Sequence, residues 1–469
     1  MALVLGVDSS TTSTTVELRD AEDGRLYGSG RAPHATPPGP GGEQDPSAWW
    51  HSLVQARYEA GGALNVNAVA VAAPSDGIVV VDDRGDAVRP ARVGPDAEAV
   101  EDARRLVDEL GAEVWSAGSG SVPTTASPVT KLAWLRRTEP ASFGRVAKVL
   151  TPHDWLTFRL SRRFVTDRGD ASGTGYWSPR ENVWRPDLLS VVDPAMDWGR
   201  CLPSVLAPTE PAGDREGVYI AAGTGRSQAT ALGLGLRPHD VVVGIDAAGT
   251  VCAVRERPTE DPTGAVAGLA DATGRFLPLV RSCGGVHAIA ALAAQFGIDM
   301  ARLDQLALGS PAGARGVRLV PFDDADDSLG RLPTGGRLTG LRADTTQEDV
   351  ARALVEGVVC TLLDGLDRLR AADVPVGGRL FVQGYAARSH AFQRTLADLS
   401  ERTIYLPHTT DVADTSALGA CVQAASMLYQ VDPAELANVW GLEPTRVVEP
   451  DYAVDADAIR ADYTVPRAA

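Results

Sequence analysis

Two stretches far apart in the chain repeat one pattern: an apolar strand runs into an acidic, small-residue turn and then into a second apolar strand. Val4-Leu5-Gly6-Val7-Asp8-Ser9-Ser10-Thr11 stands near the start, and Val242-Val243-Gly244-Ile245-Asp246-Ala247-Ala248, followed by Gly249-Thr250, stands past the midpoint. Each reads as a β-hairpin. A strand-turn-strand unit at the head of each half implies duplicated domains that face each other. Length agrees, because 469 residues exceed the roughly 250–300 at which a single core stops growing. Gly233, Gly235 and Pro238 break the pattern near 234–240, which divides the chain into domains 1–236 and 237–469.

Between the repeats the pattern alternates. Leu3 to Val7 and Thr15 to Leu18 read as hairpin strands, and the Pro/Gly-rich run from Ala32 to Gly42 as a surface loop. Asp45-Pro46-Ser47 caps a helix carrying Trp49, Trp50, Leu53 and Val54, with the two tryptophans at the core and rim of the first domain. Ala68 to Val81 reads as a strand pair interrupted by Pro74-Ser75-Asp76-Gly77. Helical spacing recurs over 96–110, 129–137 and 349–369. Strands alternating with helices make the class α/β.

The totals exclude several functions. No apolar run approaches the roughly 20 residues that span a bilayer. A net charge of −17 repels nucleic acid and anionic lipid, so small neutral ligands, or anions held by local donors, are the expected partners. The N-terminus shows no basic leader, which predicts a cytoplasmic protein. Five cysteines (Cys201, Cys252, Cys283, Cys360, Cys421) lie far apart with no C-x-x-C pairing, so neither a zinc site nor a disulfide framework is expected.

Gripping a phosphate takes a tight turn, several N–H and O–H donors, and a carboxylate that holds Mg²⁺ through water. Asp8 with Ser9 to Thr15 supplies all of these, including Ser10, Thr11 and Ser13, although a solvated Ser/Thr turn has the same composition. Gly384-Tyr385-Ala386-Ala387-Arg388-Ser389 follows an apolar strand and precedes a helical pattern. It reads either as a ledge for a nucleotide or as a plain strand-to-helix turn. His153, with no nucleophile at useful spacing, reads as structural.

Taken in order, these segments resemble the FGGY carbohydrate kinases, in their xylulokinase-like form. The likeness rests on the first hairpin, on Glu43-Gln44-Asp45-Pro46 with Trp49-Trp50, and on Lys131-Leu132-Ala133-Trp134-Leu135. Pro152-His153-Asp154-Trp155-Leu156, Phe164 to Asp167 and Asp170 to Gly173 continue it. In the second half, Gly336 to Leu341 with Asp349-Val350 and Val355-Glu356-Gly357 is similar to the family's second signature, and Ala387-Arg388-Ser389 with Leu396-Ala397-Asp398 to its adenosine segment. The resemblance implies two actin-like, ribonuclease-H-type domains facing each other across a cleft, with sugar bound mainly by the first and ATP mainly by the second. It implies transfer of the γ-phosphoryl group to a sugar hydroxyl with Mg²⁺, held at Asp8, and an aspartate base. By the same resemblance, Asp8, Ser10, Thr11, Ser13, Gly249, Thr250, Gly384, Ala387 and Arg388 meet the nucleotide, and Ser75, Asp76, Asp96 and Arg226 the sugar. Many members form dimers, so a homodimer is an open possibility.

The sequence departs from the family where the chemistry sits. The block usually reading Gly-Gly-Gly-Asp-Asn is Gly223-Thr224-Gly225-Arg226-Ser227, so a guanidinium, which cannot accept a proton, replaces the base. Thr15 stands for a lysine, Ser75-Asp76 for Met-His, Gly94-Pro95-Asp96 for Trp-Asn-Asp, and Asp246 to Gly249 for Gly-Thr-Ser-Gly. Asp76 and Asp96 are also ordinary turn residues by type, and Arg226 is an ordinary ion-pair partner. Three readings follow. The first is an ATP:sugar phosphotransferase in which Asp246 or Asp76 supplies the carboxylate. The second is a pseudokinase binding a sugar phosphate, nucleotide or protein partner, with Arg226 favouring an anion on the ligand. The third is another transferase on the same scaffold.

Overall fold

The computed structural model describes residues 2–35, 39, 42–62, 65–246, 248–282, 286–321, 336–409 and 411–463. Strands β1 (Leu3–Ser9) and β2 (Ser13–Asp20) pair antiparallel with Asp8 opposite Thr15, and β3 (Leu26–Pro33) extends the meander. Helix α1 (Pro46–Glu59) starts at Asp45, whose carboxylate accepts from the Ser47 N–H at 2.9 Å. Strand β4 (Ala68–Ala73) then lies parallel to β1. Strands β5 (Pro211–Arg215) and β6 (Val218–Ala221) complete a sheet in the order β5-β6-β4-β1-β2-β3, with the short β7 (Thr224–Gly225) also on β4. Helix α2 (Arg226–Gly233) leaves directly from β7.

The second sheet repeats the plan. Strands β8 (Val241–Ile245) and β9 (Gly249–Ala253) form the second hairpin, β11 (Phe276–Ser282) pairs with β9, and β10 (Ala267–Ala270) lies outside β11 at the edge. After helix α3 (Gln347–Ala371), β12 (Leu380–Gly384) lies parallel to β8. Helix α4 (His390–Ser400), β13 (Ile404–Leu406), helix α5 (Val412–Tyr429) and β14 (Arg446–Val448) follow, giving the order β10-β11-β9-β8-β12-β13-β14. In both sheets the first hairpin strand has a parallel neighbour, then another parallel strand, then an antiparallel one at the edge.

Every residue of β1 is buried, so both faces of that sheet are covered. Leu3, Leu5 and Val7 pack with Trp49 and Leu53 of α1. Val4, Ala68, Ala70 and Ala72 on the other face meet α5 through Leu418, Cys421 and Val422. Small residues let this helix come close: a methyl on Gly6 would lie 2.0 Å from the carbonyl oxygen of Ala417. The described strands of the first sheet all precede residue 237 and those of the second follow it, whereas α5 returns from the second half to the first sheet.

Most predicted elements are present; the helical patterns at 96–110, 129–137 and 349–369 lie on Ala97–Ala99 with Val100–Leu110, on Pro128–Thr138 and on α3. Two readings need correction. Val79–Val81 does not pair with β4 but with Lys148–Leu150 in a small separate sheet, because the Pro74 to Gly77 loop carries the chain out of the main sheet. The predicted 32–42 loop starts later, since Ala32 and Pro33 end β3, and 36–38 and 40–41 lie outside the described residues. Cys201, Cys252, Cys360 and Cys421 are buried free thiols; Cys283 lies outside the described residues. No helix among the described residues is long and apolar enough to cross a membrane.

Candidate active site

The first hairpin turn is held by one hydroxyl. Ser10 Oγ accepts from the N–H groups of Thr12 (3.2 Å) and Ser13 (3.1 Å) and donates to the Ser13 carbonyl (2.9 Å). Ser13 Oγ accepts in turn from Arg31 Nε at 3.3 Å. Asp8, at the end of β1, is fully buried, and burial pushes its carboxyl up against the downward pull of Arg226. In the second hairpin the Asp246 N–H donates to the Ala248 carbonyl at 3.1 Å. Gly249 and Thr250 start β9, and Ala247 lies outside the described residues.

Arg226 joins these turns. Its Nε donates to Asp8 Oδ1 at 2.9 Å and its Nη1 to Asp246 Oδ2 at 2.9 Å, so one guanidinium spans the cleft between the hairpin carboxylates. Side-chain exposure falls from 47% at Asp246 through 21% at Arg226 to 0% at Asp8, which makes the bridge open at one end only. The two carboxylates therefore face a shared groove, as the mirrored hairpins predict.

Arg226 is placed by the loop before it. His153 is fully buried, with Nδ1 3.0 Å from Asp170 Oδ2 and 3.1 Å from Asp154 Oδ1, and Nε2 2.6 Å from the Ala222 carbonyl. Oxygen atoms beside both nitrogens favour the doubly protonated ring. Burial opposes that charge, but the hydrogen bonds to Asp154 and Asp170 override it and hold the pKa well above the ordinary histidine value. At the next residue, Gly223 (φ 77°) leaves space that a methyl would fill at 2.4 Å from His153 Nε2. Thr224 Oγ1 donates to Asp167 Oδ2 at 2.7 Å, completing the anchorage.

The sugar-side residues separate into two groups. Ser75 and Asp76 sit half-buried on the loop after β4, where Lys131 Nζ donates to the Asp76 carbonyl at 2.6 Å and also to Ala126 O. Burial lowers the Lys131 pKa to about 8 against the raising effect of Asp76 and Asp96. Asp76 Oδ2 meets Arg281 Nη1 of β11 at 3.3 Å, a second ion pair across the cleft. Asp96, expected at the sugar, is fully buried, with Oδ2 bound by Arg92 (2.7 Å) and Oδ1 by the Glu98 N–H (3.0 Å).

Gly384 (φ 69°) ends β12 opposite Ile245, which sets the expected nucleotide segment beside the second hairpin. Ala387 is buried and Arg388 exposed, with Arg388 Nη1 3.9 Å from Asp411 Oδ2. The start of α4 is not a free anion site, because Ser389 Oγ accepts from Phe392 N (3.2 Å) and Asp304 Oδ1 from Ala391 N (2.8 Å). Asp411 also meets Arg31 at 3.1 Å, so arginines from both halves converge on one carboxylate.

The donor set at Asp8 does not fit a divalent ion as it stands. Oδ1 is taken by Arg226, and Oδ2 is buried without a hydrogen bond; the Ser416 side chain beside it also lowers the Asp8 pKa. A cation already occupies the space between the carboxylates. Sequence reasoning missed Lys131, Arg31, Arg281 and Asp411 as site-forming groups, and its reading of His153 as structural agrees with that residue's full burial. Lys131 and His153 lay inside recognisable blocks; for the others no local pattern marked the contact.

Two sheets of matched topology, each offering a hairpin carboxylate to one cleft, define a two-domain, actin-like ATPase fold. Residues 3–237 match the N-terminal domain, and residues 268–428 the C-terminal domain, of the FGGY family of carbohydrate kinases. The chain belongs to that family. It is 39% identical over 468 residues to a xylulose kinase of Streptomyces coelicolor, covering 97% of this chain and 93% of that protein. It is 38% identical over 468 residues to the xylulose kinase of Streptomyces rubiginosus, with the same 97% and 93% coverage. The solved xylulose kinase from Bifidobacterium adolescentis superposes with a TM-score of 0.84 at 32% identity, covering 98% of each chain.

Proposed function

We propose that the chain phosphorylates a ketose or polyol with ATP, in the manner of the xylulose kinases it resembles. The observation that carries this reading is the convergence of the two hairpin carboxylates, Asp8 and Asp246, on one guanidinium at 2.9 Å each. Sugar binds on the side of domain 1–236 through Ser75 and Asp76. Nucleotide binds on the side of domain 237–469 along Gly249, Thr250, Gly384, Ala387 and Arg388, with its phosphates at Ser10, Thr11 and Ser13. Dependence on ATP suits the cytoplasm.

In this reading the sugar oxygen forms a bond to the γ-phosphorus as the bond to ADP breaks, and the hydroxyl proton passes to the Asp76 carboxylate. Transition states of this type are loose, so positioning and charge neutralisation carry most of the rate. The free N–H groups of Arg226 stabilise charge on the transferred group. Displacing the family's aspartate lowers the rate by about 10²–10⁴-fold relative to a relative with that base.

The test is ADP release over a panel of ketoses and polyols, with the wild-type chain and Arg226→Asp. Sugar-dependent release that rises about 10²-fold or more in the variant supports the reading. Silence from both proteins with every sugar overturns it. In the alternative, the cleft holds a sugar phosphate without transfer; calorimetric binding of sugar phosphates by a protein with no turnover is the outcome that selects it.

A further inference from the structure

We propose that Arg226 is the resident cation of the paired hairpins, so that this chain binds the phosphates of an adenine nucleotide without a divalent ion held by Asp8 or Asp246. The inference rests on the nucleotide reading above and narrows it to the metal-free ligand.

Magnesium takes oxygen ligands in near-octahedral array and is recruited by carboxylates with free lone pairs. Here Asp8 Oδ1 and Asp246 Oδ2 each already accept a guanidinium N–H at 2.9 Å, so a divalent ion would be left with the remaining oxygens, the buried Asp8 Oδ2 among them, beside a resident positive charge. A guanidinium has no acceptor to offer a metal, and its charge repels one. Arg226 also lowers the negative charge of the pair without leaving it unable to bind anions. Of the five N–H donors on a guanidinium, two are engaged here, so three remain for phosphate oxygens.

The backbone that carries Arg226 is held in place. Arg226 is the first residue of α2, which is locked against α5 where a methyl on Gly233 would lie 2.1 Å from the Thr415 carbonyl. The loop before it is tied down through His153 and the Ala222 carbonyl at 2.6 Å. A planar donor paired to both hairpin carboxylates suits bidentate capture of a phosphate. Arg31 and Arg388, both near Asp411, add positive charge along the nucleotide side.

The experiment is calorimetric titration of the full chain with ADP, once in excess EDTA and once in excess MgCl₂. The expected result is a wild-type Kd that agrees between the two within about threefold. Arg226→Asp, with its two hairpin carboxylates released, is expected to bind ADP weakly in EDTA and more than about tenfold tighter with Mg²⁺. As a second measurement, Mn²⁺ titrated into the wild-type chain and followed by electron paramagnetic resonance should show no stoichiometric site, which decides the matter even where the variant fails to fold. Wild-type ADP binding tightened more than about tenfold by Mg²⁺ overturns this inference and leaves the kinase reading intact. Absence of ADP binding in both buffers overturns the two together.

Discussion

Gly419 of α5 lies against the backbone of Ala229 in α2, so close that a methyl on Gly419 would sit 1.8 Å from the Ala229 carbonyl oxygen. Because α2 begins at Arg226, this contact between helices from the two halves of the chain helps set the backbone from which the guanidinium reaches the cleft. Gly419→Ala forces the helices apart. It is expected to destabilise the fold by about 1–3 kcal/mol or more, measured by urea denaturation. An unchanged midpoint would show that the two helices are free to separate.

His153→Ala leaves Asp154 and Asp170 buried without their counter-charge and is expected to cost about 3–5 kcal/mol. The pH dependence has a definite sign. The folded pKa is raised, so the stability supplied by the imidazolium is fully present below the unfolded value and disappears as pH rises through the folded one. Thermal melts of wild type and variant across pH should therefore draw together only on the alkaline side.

Asp76 and Arg281 separate chemistry from packing. Asp76→Asn removes the proposed proton acceptor and should lower kcat by about 10²–10⁴-fold with the fold intact. Arg281→Ala deletes a half-exposed partner and should change stability by less than about 1 kcal/mol while raising the KM for sugar. Equal kcat values for Asp76→Asn and wild type would remove Asp76 from the reaction.

Lys131 tethers the sugar loop with an ammonium whose folded pKa, about 8, lies below the ordinary 10.5. Between those values the unfolded chain holds a proton that the folded chain has released, so the stability contribution of this group rises with pH over that window. Melts of the wild-type protein should accordingly improve relative to Lys131→Met as pH climbs from 8 towards 10.5. Sugar affinity is expected to move the other way, since the neutral amine is the weaker donor to the Asp76 carbonyl.

The duplicated hairpins were legible because their signals are local. Alternation of apolar residues, the acidic turn and the small residues beside it all lie within a few positions of one another, and β1–β2 and β8–β9 form where those signals stand. The Asp45 cap of α1 is local in the same way. Asp96 shows the limit: its carboxylate matched a sugar-binding position by motif, but Arg92, brought alongside by the strand Ala91–Arg92, consumes it in a buried pair.

Local patterning was enough for the fold class, the twin sheets and the list of residues from which a site would be drawn. Which of those residues meet depended on packing. Arg226 lies 218 positions from Asp8 and 20 from Asp246, and no periodicity relates such distances to a shared hydrogen bond. The return of α5 to the first sheet, the approach of glycine backbones and the compensation of buried charge made that encounter, because burying a guanidinium and a carboxylate costs least when each neutralises the other.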